Sequence, residues 1–366
     1  MEITKDQILD ALKNVIDPDL NRDVVSLKMI EDVEIKGNQI RFRLVLTTPA
    51  CPLKDKLKND CIRAIQSRID PYADVNVEIS SRTTSRRKDD ANLLKGVKNI
   101  IAVVSGKGGV GKSTVSANLA ISLSKLGARV GLLDADIYGP SVPLMFGLMD
   151  ARPQAREEDG KTILIPVEKY GIKLLSIGFF VDPSKALVWR GPMASNYLSQ
   201  MLTGGDWGEL DYLVIDMPPG TGDIHLTLVQ SVPVTGAAIV TTPQEVALAD
   251  ARKAYGMFVT DNINVPVLGL VENMAWFTPA ELPENRYYLF GKEGGKKYAE
   301  EVGIPLLGQI PIVQGICDSG DKGSPIALSD TSPVAAAFRE LAENVARGIA
   351  IRNANMEPTK VVEVKA

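Results

Sequence analysis

The sequence predicts an α/β protein: a mostly parallel sheet with helices on both faces, preceded by a small α+β domain. Three observations carry this. Beyond residue 98, short continuous apolar runs alternate with stretches of helical period, as in strands buried on both faces. A polar, charged run over residues 80–90 has no apolar period and cannot bury a core, so it divides the chain. A glycine-rich turn lies between the first apolar run of the larger part and its first helix.

The elements follow in order. Thr4 and Gln7 have the spacing of a capping box, and Ile8, Leu12 and Ile16 continue at helical spacing. Residues 29–35 read as a strand, Lys36-Gly37-Asn38 as a turn, and the alternation of Ile40, Phe42 and Leu44 as a half-buried strand. A second helix runs from just after Pro52 to about residue 69, and Val75, Val77 and Ile79 alternate again. This α-β-β-α-β order fills residues 1–80, and residues 81–97 form the expected linker. In the larger part, 98–352, buried strands are expected at 99–105, 130–134, 174–177, 212–216, 237–241, 265–271 and 306–310. Helices are expected at 112–126, stopped by Gly127, at 245–263 and at 333–351. The polar end, 353–366, reads as a flexible tail.

Composition removes several function classes. The chain has 366 residues, 45% of them hydrophobic and 23% charged, which fits two globular domains and excludes a disordered or rod-like chain. Its net charge of −4 argues against broad nucleic-acid binding. No run of 18 apolar residues and no apolar leader occur, so no membrane partner is expected. Cys51, Cys61 and Cys317 are too few for a disulfide framework and suggest a reducing, cytoplasmic setting. His225 is the only histidine, which excludes a multi-histidine zinc site; it reads as a packing or capping residue.

The strongest motif is Gly106-Lys107-Gly108-Gly109-Val110-Gly111-Lys112-Ser113, which fits the phosphate loop G-x-x-x-x-G-K-[ST]. Its glycines let backbone N–H groups turn inward around phosphates, and the following helix N-terminus adds positive potential. Lys112 is expected to reach the β- and γ-phosphates of ATP, Ser113 to ligate Mg²⁺ and Thr114 to meet the α-phosphate. The fold expected of residues 98–352 is therefore a phosphate-loop NTPase domain. Asp216 ends an apolar strand and is a second candidate Mg²⁺ ligand. Asp134-Ala135-Asp136 ends another: Asp134 could serve Mg²⁺ and Asp136 could orient the attacking water. Gly106, Gly108 and Gly111 also spell the dinucleotide fingerprint, with Asp134 at the ribose-binding distance, but a dehydrogenase leaves Lys112, Ser113 and Asp216 without a role.

Lys107 separates the phosphate-loop classes. Lys107-Gly108-Gly109-Val110-Gly111-Lys112-Ser113-Thr114 resembles the deviant loop of the MinD/ParA/nitrogenase-reductase class. The resemblance implies a homodimer in which Lys107 reaches the partner's nucleotide, and by the same analogy Asn273 contacts adenine. Asp134 to Ser141, Trp189-Arg190-Gly191-Pro192-Met193, Asp216 to Asp223 and Glu272-Asn273-Met274 look like Mrp-type iron–sulfur cluster carrier ATPases over about residues 98–350. Asp17-Pro18-Asp19-Leu20 and Leu46 to Pro52 resemble the small domain of metal–sulfur cluster assembly factors. The implied function is ATP-controlled transfer of iron–sulfur clusters, with cluster scaffold proteins and apoproteins as partners. The implied alternative is a MinD/ParA-like positioning or regulatory ATPase that carries no cluster.

One departure matters. Mrp-type carriers usually hold C-x-x-C just after Glu-Asn-Met, where two chains could bridge a [4Fe–4S] cluster. Here residues 275–285 contain no cysteine. Cys51 is the remaining candidate cluster ligand: it lies where a helix begins, and a helix N-terminus favours thiolate. Cys61 and Cys317 read as packing residues.

Overall fold

The computed structural model of the chain describes residues 3–87, 94–158, 160–181 and 191–362. Two compact units emerge: residues 1–84 with 350–356, and residues 85–349 with 357–366.

The first unit opens with α1 (Lys5–Leu12), whose capping box is complete: Gln7 N donates to Thr4 Oγ1 and Thr4 N donates to Gln7 Oε1 at 2.9 Å. The helix stops earlier than the spacing of Ile16 suggests. Asn14 Nδ2 donates to the Ala11 carbonyl at 2.9 Å, closing the last turn, and Ile16 lies in a two-residue ladder with Asp23, 51% exposed. β1 (Ile30–Lys36) and β2 (Gln39–Leu46) form a hairpin through Gly37, whose φ of +62° suits the turn. α2 (Lys54–Arg68) then returns the chain to β3 (Asp74–Ser81), parallel to β2. Leu57, Cys61 and Ile65 repeat every four residues on α2 and meet Leu12, Phe42 and Leu44 in a fully buried core.

The second unit is built on an eight-stranded sheet. Its strands, in chain order, are β4 (Val97–Val104), β5 (Val130–Asp134), β8 (Val167–Lys169), β9 (Ile172–Ser176), β10 (Leu210–Asp216), β11 (Gly236–Thr241), β12 (Val267–Phe277) and β13 (Leu306–Ile312). β6 (Gln154–Glu158) and β7 (Lys161–Ile165) form a separate hairpin that hydrophobic period alone leaves as loop. The order across the sheet is β8-β9-β5-β10-β4-β11-β12-β13, parallel except for the β8–β9 pair. Each parallel crossover needs a covering helix, which explains the unbroken apolar runs. The helices are α3 (Lys112–Lys125), α4 (Val142–Met145), α5 (Gly191–Thr203), α6 (Asp223–Ser231), α7 (Glu245–Val259), α8 (Gly294–Val302), α9 (Gln314–Asp321) and α10 (Pro333–Asn355). α3 is buried almost all round, from Val115 to Leu123.

Strand order places the site. From central β4 the chain first moves to one side, through β5 and β10, and later to the other, through β11 to β13. A crevice at such a reversal, outside the carboxyl ends of the strands, is where open α/β sheets bind ligands. Register aligns Ser176, Asp134 and Asp216 as neighbours across β9, β5 and β10.

Within the described part of the expected loose tail, up to residue 362, several residues are bonded. Asn353 is still helical, and its Nδ2 donates to the Thr84 carbonyl at 3.1 Å. Thr359 N donates to the Arg86 carbonyl and Val362 N to the Val229 carbonyl, each at 2.9 Å. Polarity concealed this because backbone groups, not apolar side chains, make most of the attachment. Of the expected linker, Arg82 N still donates to Leu46 O, and residues 88–93 lie outside the described part.

Candidate nucleotide site

The phosphate loop joins β4 to α3 at the reversal of strand order. Gly106 packs so closely on α7 that an added Cβ would lie 2.0 Å from the Asp250 carbonyl oxygen. Gly109 and Gly111 both have φ near +80°, a region closed to most side chains. Gly111 is the residue before α3, so the loop turns directly into a helix N-terminus. Gly108 is exposed, Val110 is buried and Lys107 is half-buried without an ion pair among the described residues.

Lys112 is 5% exposed and sits among carboxylates. Its Nζ donates to Asp216 Oδ1 at 2.8 Å, lies 3.5 Å from Asp136 Oδ2 and reaches Ser113 Oγ at 3.3 Å. A buried ammonium needs such partners. Incoming phosphates would supply stronger ones, drawing Lys112 toward the loop. Asp134 is fully buried; Ser176 Oγ donates to it at 2.9 Å, and the Val142 and Asp136 N–H groups at 3.2 Å. Burial first, and then the charge of Asp216, push the Asp134 carboxyl up to about 7. Burial likewise raises Asp136, against the pull of Lys112.

Asp216 is fully buried, and its two oxygens differ. Oδ1 receives Lys112 and also Ser116 Oγ at 2.7 Å, whereas Oδ2 has no hydrogen-bond partner. An orphaned buried carboxylate oxygen is costly unless something occupies it in function. Ser113 Oγ, Asp134 and Asp216 are a donor set of oxygens only, which suits Mg²⁺ completed by phosphate and water. The described side chains therefore fit the ion.

Asn273, on β12, lies against the loop. Its Nδ2 donates to the Val110 carbonyl at 2.8 Å and would be 2.2 Å from a Cβ on Gly111. In this arrangement its amide braces the loop. Beside it opens a cavity of about 450 Å³, lined by Gly111, Thr114, Leu144, Asn273, Phe290 and Cys317 among others. That size suits a small ligand and adjoins the phosphate loop. Leu144 and Phe290 carried no signal in the sequence, since their elements are brought here only by packing. Ser116 was missed too, although its four-residue spacing from Lys112 puts both on one face of α3.

Other candidates separate. Cys51 is half-buried, two residues before the residue that precedes α2, and packs against the core of the first unit. Cys61 is a packing residue: burial pushes its thiol up to about 12. Cys317 is not one. It is exposed on α9, with Sγ 3.7 Å from Asp321 Oδ2. Its position on a short helix without buried residues explains the difference. His225 is buried in α6 with no hydrogen-bond partner on either ring nitrogen, and burial holds it down to about 4. Trp189 and Arg190 lie outside the described residues.

A glycine-rich loop between a central strand and a buried helix, facing strand-end carboxylates at the sheet's reversal, defines a phosphate-loop NTPase. The chain belongs to the NUBPL iron-transfer P-loop NTPase family, whose model matches residues 96–346. Residues 5–79 match a second model, described as an iron–sulfur cluster assembly protein. The chain is 47% identical over 346 residues to an iron–sulfur cluster carrier protein of Synechocystis sp., covering 94% of this chain and 97% of the relative. It is 45% identical over 357 residues to one from Deinococcus radiodurans, with 97% and 99% covered. Among solved structures, a nucleotide-binding protein from Archaeoglobus fulgidus in complex with ADP is 39% identical. It covers 66% of this chain and 92% of its own, with a TM-score of 0.56. Among the described residues no helix is long and apolar enough to cross a membrane.

Proposed function

We propose that the protein binds and hydrolyses ATP with Mg²⁺ and uses the nucleotide state to control transfer of an iron–sulfur cluster to apoproteins. The observation that supports this best is the presence, in one chain, of a complete phosphate-loop site and a domain of the cluster-assembly type. Lys112 leaves Asp216 to hold the β- and γ-phosphates, Thr114 meets the α-phosphate, and Asn273 braces the loop beside the base. Asp136 orients the attacking water; such hydrolysis depends on positioning more than on a strong base. Ser113, Asp134 and Asp216 would hold Mg²⁺, which when bound neutralises charge on the β- and γ-oxygens. Lys107, free of ion pairs within the described chain, serves the partner's nucleotide in a homodimer.

The cluster is cargo, and Cys51 is its proposed ligand. Among the described residues no three Cys, His, Asp or Glu side chains gather into a metal site, so a second copy or a scaffold protein completes the ligand set. The setting is a reducing one, the cytoplasm.

The test is anaerobic reconstitution with iron and sulfide, followed by iron and sulfide analysis and absorption spectra of wild type and Cys51→Ala. A stoichiometric cluster lost in Cys51→Ala supports carriage through the first domain. Iron content unchanged in Cys51→Ala defeats the role of Cys51, and absence of a cluster in the wild type defeats carriage.

A further inference from the structure

Two hydroxyls donate to the carboxylates of the site: Ser176 on β9 to Asp134, and Ser116, which lies beyond the loop motif, to Asp216. Ser116 is fully buried on α3, one turn beyond Lys112. Its Oγ lies 2.7 Å from Asp216 Oδ1 and 3.0 Å from the Lys112 carbonyl. A hydroxyl has a single proton to give. The carboxylate is nearer and charged, so it is the better acceptor. Asp216 Oδ1 thus receives two donors, Ser116 and Lys112, while Oδ2 receives none and is buried.

The two donors differ in permanence. Lys112 belongs to the phosphates once nucleotide is bound. Ser116 is anchored on a helix that is buried along its length and has no such competing role. We propose that Ser116 is a positioning residue for Mg²⁺: it holds Asp216 Oδ1 after Lys112 has left, so that the buried Oδ2 stays turned toward the metal. Without it, the carboxylate of nucleotide-bound protein is free to rotate about its Cβ–Cγ bond, and either oxygen can be drawn away from the ion. This rests on the Mg²⁺-dependent ATPase proposed above.

The full-length chain carries the test. Ser116→Ala removes the donor, and Ser116→Cys keeps nearly the same volume with a weak donor, so a fold lost in one variant leaves the other to decide. Ser122→Ala is the control: Ser122 is buried on the same helix, and its hydroxyl bonds to neither Asp134 nor Asp216. Mn²⁺ affinity is read by electron paramagnetic resonance of the free ion in the presence of ADP. ADP affinity is read separately in EDTA. The expected result is Mn²⁺ affinity weakened about tenfold in both Ser116 variants. Metal-free ADP affinity stays unchanged, and Ser122→Ala resembles wild type. Mn²⁺ affinity equal to wild type in either folded Ser116 variant overturns the proposal. So does an equal fall of metal-free ADP affinity, which would show general damage. Wild type whose Mn²⁺ binding gains nothing from ADP overturns the metal reading itself, and the role of Ser116 with it.

Discussion

Lys112 illustrates how a single residue is fixed by competing partners. In the structure it neutralises Asp216 and approaches Asp136; with ATP it is needed at the phosphates. Lys112→Ala should lower ATP turnover by about 10²-fold or more, in the range of losing one charge-stabilising donor, and phosphate release measures it. Unchanged turnover would remove the assignment of the phosphate loop. His225 makes a different prediction. Its folded pKa is depressed to about 4 from an ordinary 6.5. The unfolded chain therefore binds more protons between those values, and this part of the stability is present above pH 6.5 and lost as pH falls toward 4. His225→Gln should flatten that component, seen as a urea midpoint that varies less with pH over this window than in wild type. At this scale the motif residues were legible because they are contiguous. Ser176 was not legible as a partner of Asp134, since 42 positions separate them.

Elements carry the site by close approach. Gly106 touches the backbone of α7 near Asp250, where no side chain can yield. Gly106→Ala should displace the loop or the helix, destabilise by about 1–3 kcal/mol as an overpacked contact, and weaken ADP binding. A calorimetric scan and an ADP titration check it; wild-type values in both would mean that the loop adapts. In the first unit, Leu57→Ala removes a fully buried anchor between α2 and the sheet and should cost about 2–5 kcal/mol in urea unfolding. Most strands were legible from apolar continuity, which reports burial on both faces. The β6–β7 hairpin was not, because β6 is exposed along its whole length and has no apolar alternation. Ile16 misled for the opposite reason: it has the right spacing, but Asn14 ends the helix first.

For the whole molecule, the end of the chain is a structural part. Deleting residues 357–366 removes the bonds of Thr359 to Arg86 and of Val362 to Val229. Two or three net hydrogen bonds correspond to about 1–4 kcal/mol, so a lower thermal midpoint is expected, and an unchanged midpoint would mean that the strap contributes nothing. Dimerisation is the second prediction at this scale. Sedimentation velocity should show an ATP-dependent dimer in wild type and monomers in Lys107→Ala; dimers of equal stability in both would remove Lys107 from the interface.

By itself the sequence determined the alternation of strands and helices, the phosphate loop, the strand-end acids and the break between two parts. All of these are local patterns, set by periodicity and by neighbouring residues. Only the tertiary structure decided which acids share a level, that Ser116 and Lys112 meet on Asp216 Oδ1, that Asn273 braces Val110, and that the polar end is bonded. Each depends on strand order, register or helix packing between distant segments, which minimise buried unpaired groups over the whole fold and leave no mark at a single position.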